Sequence, residues 1–272
     1  MLSLLEKKRI PKPWGRYDLP HPFEGAPSEK IGEIWFDDAG TQQDLLVKYL
    51  FTSEKLSIQV HPSDQLARQS GLPSGKEECW IVIDAEPGAV LGIGTKVPLS
   101  PEDLRIAAID GSIEQLMDWM PVSRGDLFYI PPGTVHAIGG GVSIIEVQQN
   151  ADITYRLYDY GRPRDLHLDD GIKAAIAKPY EEHMHSRIDL ACEEHIFDGP
   201  KFALWTISDW PADLLSGEPV QLIPLRGQVS IAGITAQAGD CLLCPPFVAL
   251  ERSSGFMALM AQAKSLKSGQ SD

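Results

Sequence analysis

Cysteine is scarce in this chain: 272 residues carry only Cys79, Cys192, Cys241 and Cys244, too few for a disulfide framework. Long apolar runs are missing as well. No stretch approaches the roughly 18 residues that a membrane-spanning helix needs, and the opening MLSLLEKKRI lacks the apolar core of a secretory signal, so the chain is expected to work in the cytoplasm. Cations are in deficit, with 24 Lys and Arg against 38 Asp and Glu and a formal net charge of −14. Such a surface repels phosphate backbones and anionic headgroups, which argues against nucleic-acid and membrane partners. A small anionic substrate would require Lys and Arg to be concentrated locally. Extended helical periodicity is also rare, and 24 Gly and 21 Pro are spread along the chain, which disfavours a helical bundle.

What is present is a succession of short strands and turns. WFDDAG, LLVKYLF, LSIQVHP, ECWIVID, AVLGIG, DLFYIPP, AIGGGVSIIEVQQ and YRLYDYG carry β-branched and aromatic residues between turn signals. Two segments predict helices: DQLARQSG, and residues 100–119, which open on Ser100-Pro101-Glu102-Asp103 and break near Gly111. Residues 162–187 read as a polar connector with one short helical run, strands return from about 195 to 263, and the tail KSLKSGQSD is expected to fray. RGDLFYIPPGTVHAI (124–138) and AGDCLLCPPFVALER (238–252) share Gly-Asp, four strand residues and Pro-Pro. A repeat of this kind predicts two antiparallel β-barrels, one armed with a histidine and one bare. The expected division is 1–175 for the catalytic, metal-binding barrel with N-terminal strands and 176–272 for the connector and a metal-free barrel.

Three phrases carry chemistry. In Ser57-Ile58-Gln59-Val60-His61-Pro62 the side chains of Gln59 and His61 share a strand face, as do Lys76, Glu78 and Trp80 in Gly75-Lys76-Glu77-Glu78-Cys79-Trp80. Pro131-Pro132-Gly133-Thr134-Val135-His136 delivers a second imidazole onto a strand. Two histidines, one carboxylate and one amide suit a divalent metal of zinc type with an open position. Taken singly, each is more simply a satisfied structural residue.

With these phrases on the page, the chain resembles type I mannose-6-phosphate isomerase, a zinc-dependent cupin enzyme, in its short bacterial form. The resemblance rests on PKPWG (11–15), IGEIWF (31–36), LLVKYL (45–50), LSIQVHPSD (56–64), GKEECWIVIDAEPGA (75–89), RGDLFYIPPGTVHAIG (124–139) and EVQQNADITYRLYDYGR (146–162), in that order. It implies a mainly β fold of two cupin-type jelly-roll barrels with a few short helices. It implies Gln59, His61, Glu78 and His136 as ligands of one divalent metal, most simply Zn2+. Arg156, Glu146 and Lys76 become catalytic residues for an aldose–ketose isomerisation of mannose 6-phosphate and fructose 6-phosphate. Proton transfer falls to Glu146, helped or replaced by Lys76, while the metal and Arg156 hold sugar oxygens and enediolate charge. Longer family members insert a helical domain that this chain lacks. The alternatives are a metal cupin acting on another phosphosugar, a non-catalytic sugar-phosphate-binding cupin, and a cupin oxygenase. The sequence leaves the oligomeric state open.

Other features read as structural. Cys241 and Cys244 alternate with leucines as buried strand residues do; His183, His185 and His195 are expected in a solvated loop. The Gly92 and Gly139 clusters lack the strand–helix context of a nucleotide loop and are expected to make turns, and Trp14 and Trp35 are expected to pack in the core or at a rim.

Overall fold

A computed structural model describes residues 2–24, 28–37, 43–212, 214 and 217–264. The expected fraying tail lies almost wholly outside these residues, as does the end of WFDDAG. Four antiparallel sheets pair into two barrels. In the first, a seven-stranded sheet runs in the spatial order His185–Arg187, Asp126–Ile130, Glu78–Ala85, Val142–Gln149, Leu45–Phe51, Ile31–Phe36, Lys7–Arg16. It faces a five-stranded sheet of Tyr155–Tyr158, Ile58–Val60, His136–Ile138, Val90–Thr95 and Met117–Pro121. In the second barrel a six-stranded sheet, ordered Ser3–Leu4, Leu242–Cys244, Val220–Arg226, Met257–Ala263, Phe202–Ile207, Glu194–Asp198, is joined by a three-stranded one.

The two large sheets pack back to back. One core cluster holds Ile34, Val47, Ile81, Ile145 and Val147 from the first barrel with Phe202, Leu204, Ile223, Leu259 and Ala261 from the second. The central strands are therefore buried on both faces and read as nearly unbroken apolar runs such as LLVKYLF, whose seven residues are all buried. The alternation of side chains then decides what faces the first barrel's interior: Ile145 and Val147 point to the second barrel, Ile144 into the first. A further cluster packs the outer face of the five-stranded sheet against the helix Pro101–Asp110.

The Gly-Asp repeat occupies corresponding places. Asp126–Ile130 and Leu242–Cys244 each lie second from an edge of their large sheet. Before each, the Asp carboxylate accepts from the backbone N–H three residues earlier, Ser123 at 2.7 Å and Gln237 at 2.8 Å. The preceding glycines, Gly125 and Gly239, have φ of 92° and 85°, a region where a side chain is strained. The repeat is thus a turn that needs Gly for its backbone sign and Asp to satisfy a donor.

Three features differ from the expectation. Gly92 and Gly94 lie inside the strand Val90–Thr95 rather than in a turn. Lys7–Arg16, by contrast, is an expected N-terminal strand, and it accommodates Pro11 and Pro13 because it is the edge of its sheet, where a missing N–H is tolerated. Sheet pairing also crosses the 175/176 division in both directions: Ser3–Leu4 joins the second barrel, and His185–Arg187 joins the first. His185 and His195 accordingly lie on strands rather than in a loop, stacked on Phe128 and Trp205. Among the described residues no helix is long and apolar enough to cross a membrane.

Phe202 is fully buried between the two large sheets. Phe202→Ala is expected to lower unfolding free energy by about 3–5 kcal/mol, measured by urea denaturation; a loss below about 1 kcal/mol would mean that the barrels do not depend on this contact.

Candidate metal centre and active site

Register assembles the site before any side-chain contact is considered. In the five-stranded sheet Gln59 stands opposite His136 on one side and Arg156 on the other. Across the barrel, Trp80 pairs with Glu146, Glu146 with Lys48, and Lys48 with Trp35. Two rows of inward side chains, one from each sheet, therefore face each other.

His61, Glu78 and His136 are buried, and one potential ligand atom from each lies within 4.8 Å of the other two. Glu78 Oε2 is 3.6 Å from His61 Nε2, and its Oε1 is 3.4 Å from His136 Nε2. Each imidazole donates from Nδ1 to a backbone carbonyl, His61 to Ile153 at 2.7 Å and His136 to Thr134 at 2.9 Å. Those bonds set the tautomer and leave both Nε2 lone pairs directed at the carboxylate. His61 Nε2 and both oxygens of Glu78 are buried without a hydrogen-bond partner, although the ammonium of Lys76 stands 2.9 Å from Oε2. Buried acceptors left in this state are costly, and three that converge fit a divalent cation. Gln59 adds its amide, 3.3 Å from His136 Nε2, with Ser57 donating to its Oε1 at 3.1 Å.

Electrostatics follow from burial. Burial pushes His61 down to about 3, reinforced by the Lys76 charge, and lowers His136 as well. Burial would raise Glu78, but Lys76 and the histidines hold it well below the usual carboxylate range. Lys76 loses solvation too, yet Glu78 and Glu146 raise it above an ordinary lysine. Glu146 is raised by burial and by the Glu78 charge, against Lys76 and Lys48.

Above this cluster lies a cavity of about 250 Å³, whose walls include Gln59, Lys76, Glu146 and Arg156. All seven residues expected from the sequence thus converge on one region. Glu146 is held by Trp80 Nε1, which donates at 3.0 Å, and by Lys48 and Lys76, at 3.3 and 3.9 Å. Arg156 donates to the Asp165 carbonyl at 3.2 Å. Lys12, Lys48, Lys76, Arg156 and Arg164 line the walls against Glu33, Glu146 and Asp152. Cations outnumber carboxylates among the lining residues, with Asp159 and Glu78 pairing Arg164 and Lys76 just behind the wall.

Sequence reading missed Lys48 and Glu33. Lys48 sits 4.5 Å from the centre of the Trp35 ring, and Glu33 is paired with Lys12 at 3.1 Å. The available signal was a lone charge in each of two otherwise apolar strands, LLVKYLF and IGEIWF. Trp14 and Trp35 line the cavity, in keeping with rim packing. Cys241 and Cys244 are both buried and free, in different core clusters.

The histidine shifts carry a stability signature. A folded pKa of about 3 for His61, against an ordinary 6.5, means that protons favour the unfolded chain. The contribution is complete above pH 6.5 and is lost as pH falls toward 3. Chelator-treated protein is expected to lose about 2 kcal/mol through His61 between pH 6.5 and 5. Urea titrations at the two pH values check this, and His61→Gln should flatten the difference; an equally steep profile in that variant would sink the assignment.

No protein-family model matches the chain. It is 38% identical over 168 residues to the mannose-6-phosphate isomerase of Streptococcus mutans, covering 58% of this chain and 53% of that protein. It is 36% identical over 198 residues to mannose-6-phosphate isomerase ManA of Bacillus subtilis, covering 68% and 62%. The match thus spans little more than half the length of the first of these relatives. The crystal structure of the mannose 6-phosphate isomerase from Bacillus subtilis superposes with a TM-score of 0.72 at 25% identity, over 96% of this chain and 99% of that one. A putative mannosephosphate isomerase from Archaeoglobus fulgidus shares the fold, with a TM-score of 0.75 at 18% identity. The ordered sequence match, the paired cupin barrels and the buried His–Glu–His cluster agree in likening this chain to the mannose-6-phosphate isomerases.

Proposed function

We propose that the chain is a cytoplasmic, zinc-dependent enzyme interconverting mannose 6-phosphate and fructose 6-phosphate, residues 1–175 carrying the chemistry and 176–272 supporting it. His61, Glu78, His136 and Gln59 would hold the metal. Two imidazoles and a carboxylate are a zinc-type donor set, and the orphaned acceptors of His61 and Glu78 fit it. When bound, the metal supplies a Lewis acid for negative charge developing on the substrate's oxygens.

The observation that carries the reading is the setting of Glu146. An enzyme that moves a proton between C1 and C2 needs a carboxylate that is ionised yet basic. Burial makes Glu146 more basic, and Lys48 and Lys76 beside it favour its ionised form. It takes the C2 proton of the aldose, leaving an enediolate, and returns it to C1 while the O2 hydroxyl proton passes to O1, which gives the ketose. Lys76, held protonated by two carboxylates, donates to a sugar oxygen; that setting supports a donor over a base. Arg156, on the facing sheet, holds sugar oxygens and shares the enediolate charge. The cationic wall gives a phosphate dianion its counter-charge in an otherwise acidic protein. A pure sugar-phosphate binder has no use for a carboxylate made basic in this way.

A coupled assay of mannose 6-phosphate conversion, before and after chelator treatment and with zinc restored, tests reaction and metal together. Turnover is expected to vanish on chelation and return with zinc. Metallated protein that binds the sugar phosphate without turnover would be a non-catalytic cupin; absence of binding would point to another phosphosugar. Glu146→Gln is expected to lower kcat about 10²–10⁴-fold while zinc stays bound. Near wild-type turnover in Glu146→Gln, with Arg156→Ala inactive, would move the base elsewhere.

A further inference from the structure

Strand alternation turns Lys76 and Glu78 into the first barrel and leaves Glu77 facing outward, toward the second. The Gly75–Glu78 segment is tied to the turn that follows His61. Lys76 N–H donates to the Pro62 carbonyl at 3.1 Å, and Gly75 N–H to Asp64 Oδ1 at 2.8 Å. The two backbones run so close that a Cβ on Gly75 would lie 2.4 Å from the Pro62 oxygen. Gln149 bridges them, accepting from Glu77 N–H at 3.0 Å and donating to Asp64 Oδ1 at 3.1 Å.

One residue of the second barrel closes this arrangement from outside. Lys201 lies in the turn between strands Glu194–Asp198 and Phe202–Ile207. Its Nζ is 2.7 Å from Asp64 Oδ2, and its backbone N–H donates to Glu77 Oε1 at 3.1 Å. The other oxygen of Glu77 accepts from the Tyr129 hydroxyl at 3.1 Å, and the Tyr129 ring packs on Phe197 of the same hairpin at 4.8 Å. Arg68 is the other cation near Asp64, exposed and 3.9 Å from Oδ2.

We infer that Lys201 is a positioning residue for the metal site: through Asp64 and Glu77 it clamps the two segments that present His61 and Glu78. This inference rests on the metal reading of the His–Glu–His cluster. It gives the bare second barrel a task in the chemistry of the first. Lys201 touches no reacting atom and acts only through the turns it joins, as outer partners of metal ligands do.

The test is zinc affinity of the folded protein, measured by competition with a chromogenic chelator for wild type, Lys201→Met and Lys201→Arg. Lys201→Met keeps the aliphatic stem and loses the cation. It is expected to weaken zinc binding about 10-fold or more, with kcat reduced at saturating zinc, and Lys201→Arg is expected to restore both. Urea denaturation of the same proteins supplies the control. A lower unfolding midpoint with zinc affinity within about twofold of wild type would show a structural ion pair only, and overturns the inference. Wild-type protein that takes up no zinc would overturn the metal reading and this inference with it, whereas zinc uptake unaltered in Lys201→Met overturns this inference alone.

Discussion

A carboxylate fully withdrawn from water, with the Lys76 ammonium 2.9 Å from one oxygen and an imidazole beside each, is the constraint around which the first barrel is organised. Burying Glu78 is unfavourable by itself, and its ionisation survives only because Lys76 and two imidazoles stand beside it. Those partners must approach from three separate segments, so the barrel has to close tightly around them. The backbone carbonyls of Ile153 and Thr134, which fix the imidazole tautomers, belong to that closure. A cation at the three converging acceptors satisfies what the protein alone leaves unsatisfied.

The charge does not stop at Glu78. Lys76 passes it to Glu146, which Lys48 and Trp80 hold from the neighbouring strands, and Lys48 lies over Trp35, whose indole donates to Glu33. Alternating signs along this line let several buried charges coexist where each alone would be expelled or neutralised. Lys12, Arg156 and Arg164 add cations to the same cavity wall, in a protein whose formal net charge is −14.

The second barrel repeats the first barrel's Gly-Asp turn and sheet order without its ligands. Its large sheet supplies one wall of the core between the barrels, and its hairpin around Lys201 reaches the turns behind the metal site. Crossed strands at either end, Ser3–Leu4 into the second barrel and His185–Arg187 into the first, join the barrels along the backbone as well. Retaining a bare barrel is then consistent with a supporting task.

The grouping of His61, Glu78 and His136 was legible only through the family resemblance; the sequence by itself determined the strand-rich fold and the repeated turn. These are local matters, since alternation along a strand decides which side chains share a face, and Gly, Asp and Pro dictate turns through their own backbone chemistry. The helix from Pro101 was equally legible, because its Ser100 cap and proline act within one turn. The edge position of Lys7–Arg16 was not, although its prolines require it, because edge position belongs to the sheet. Lys48 and Glu33 show the other limit. Each looks anomalous in an apolar run, but its partner arrives from a neighbouring strand, so only the register decided between a buried ion pair and a misplaced charge. Lys201 lies 137 positions beyond Asp64 along the chain, and only the packing of one barrel on the other put the two within 2.7 Å.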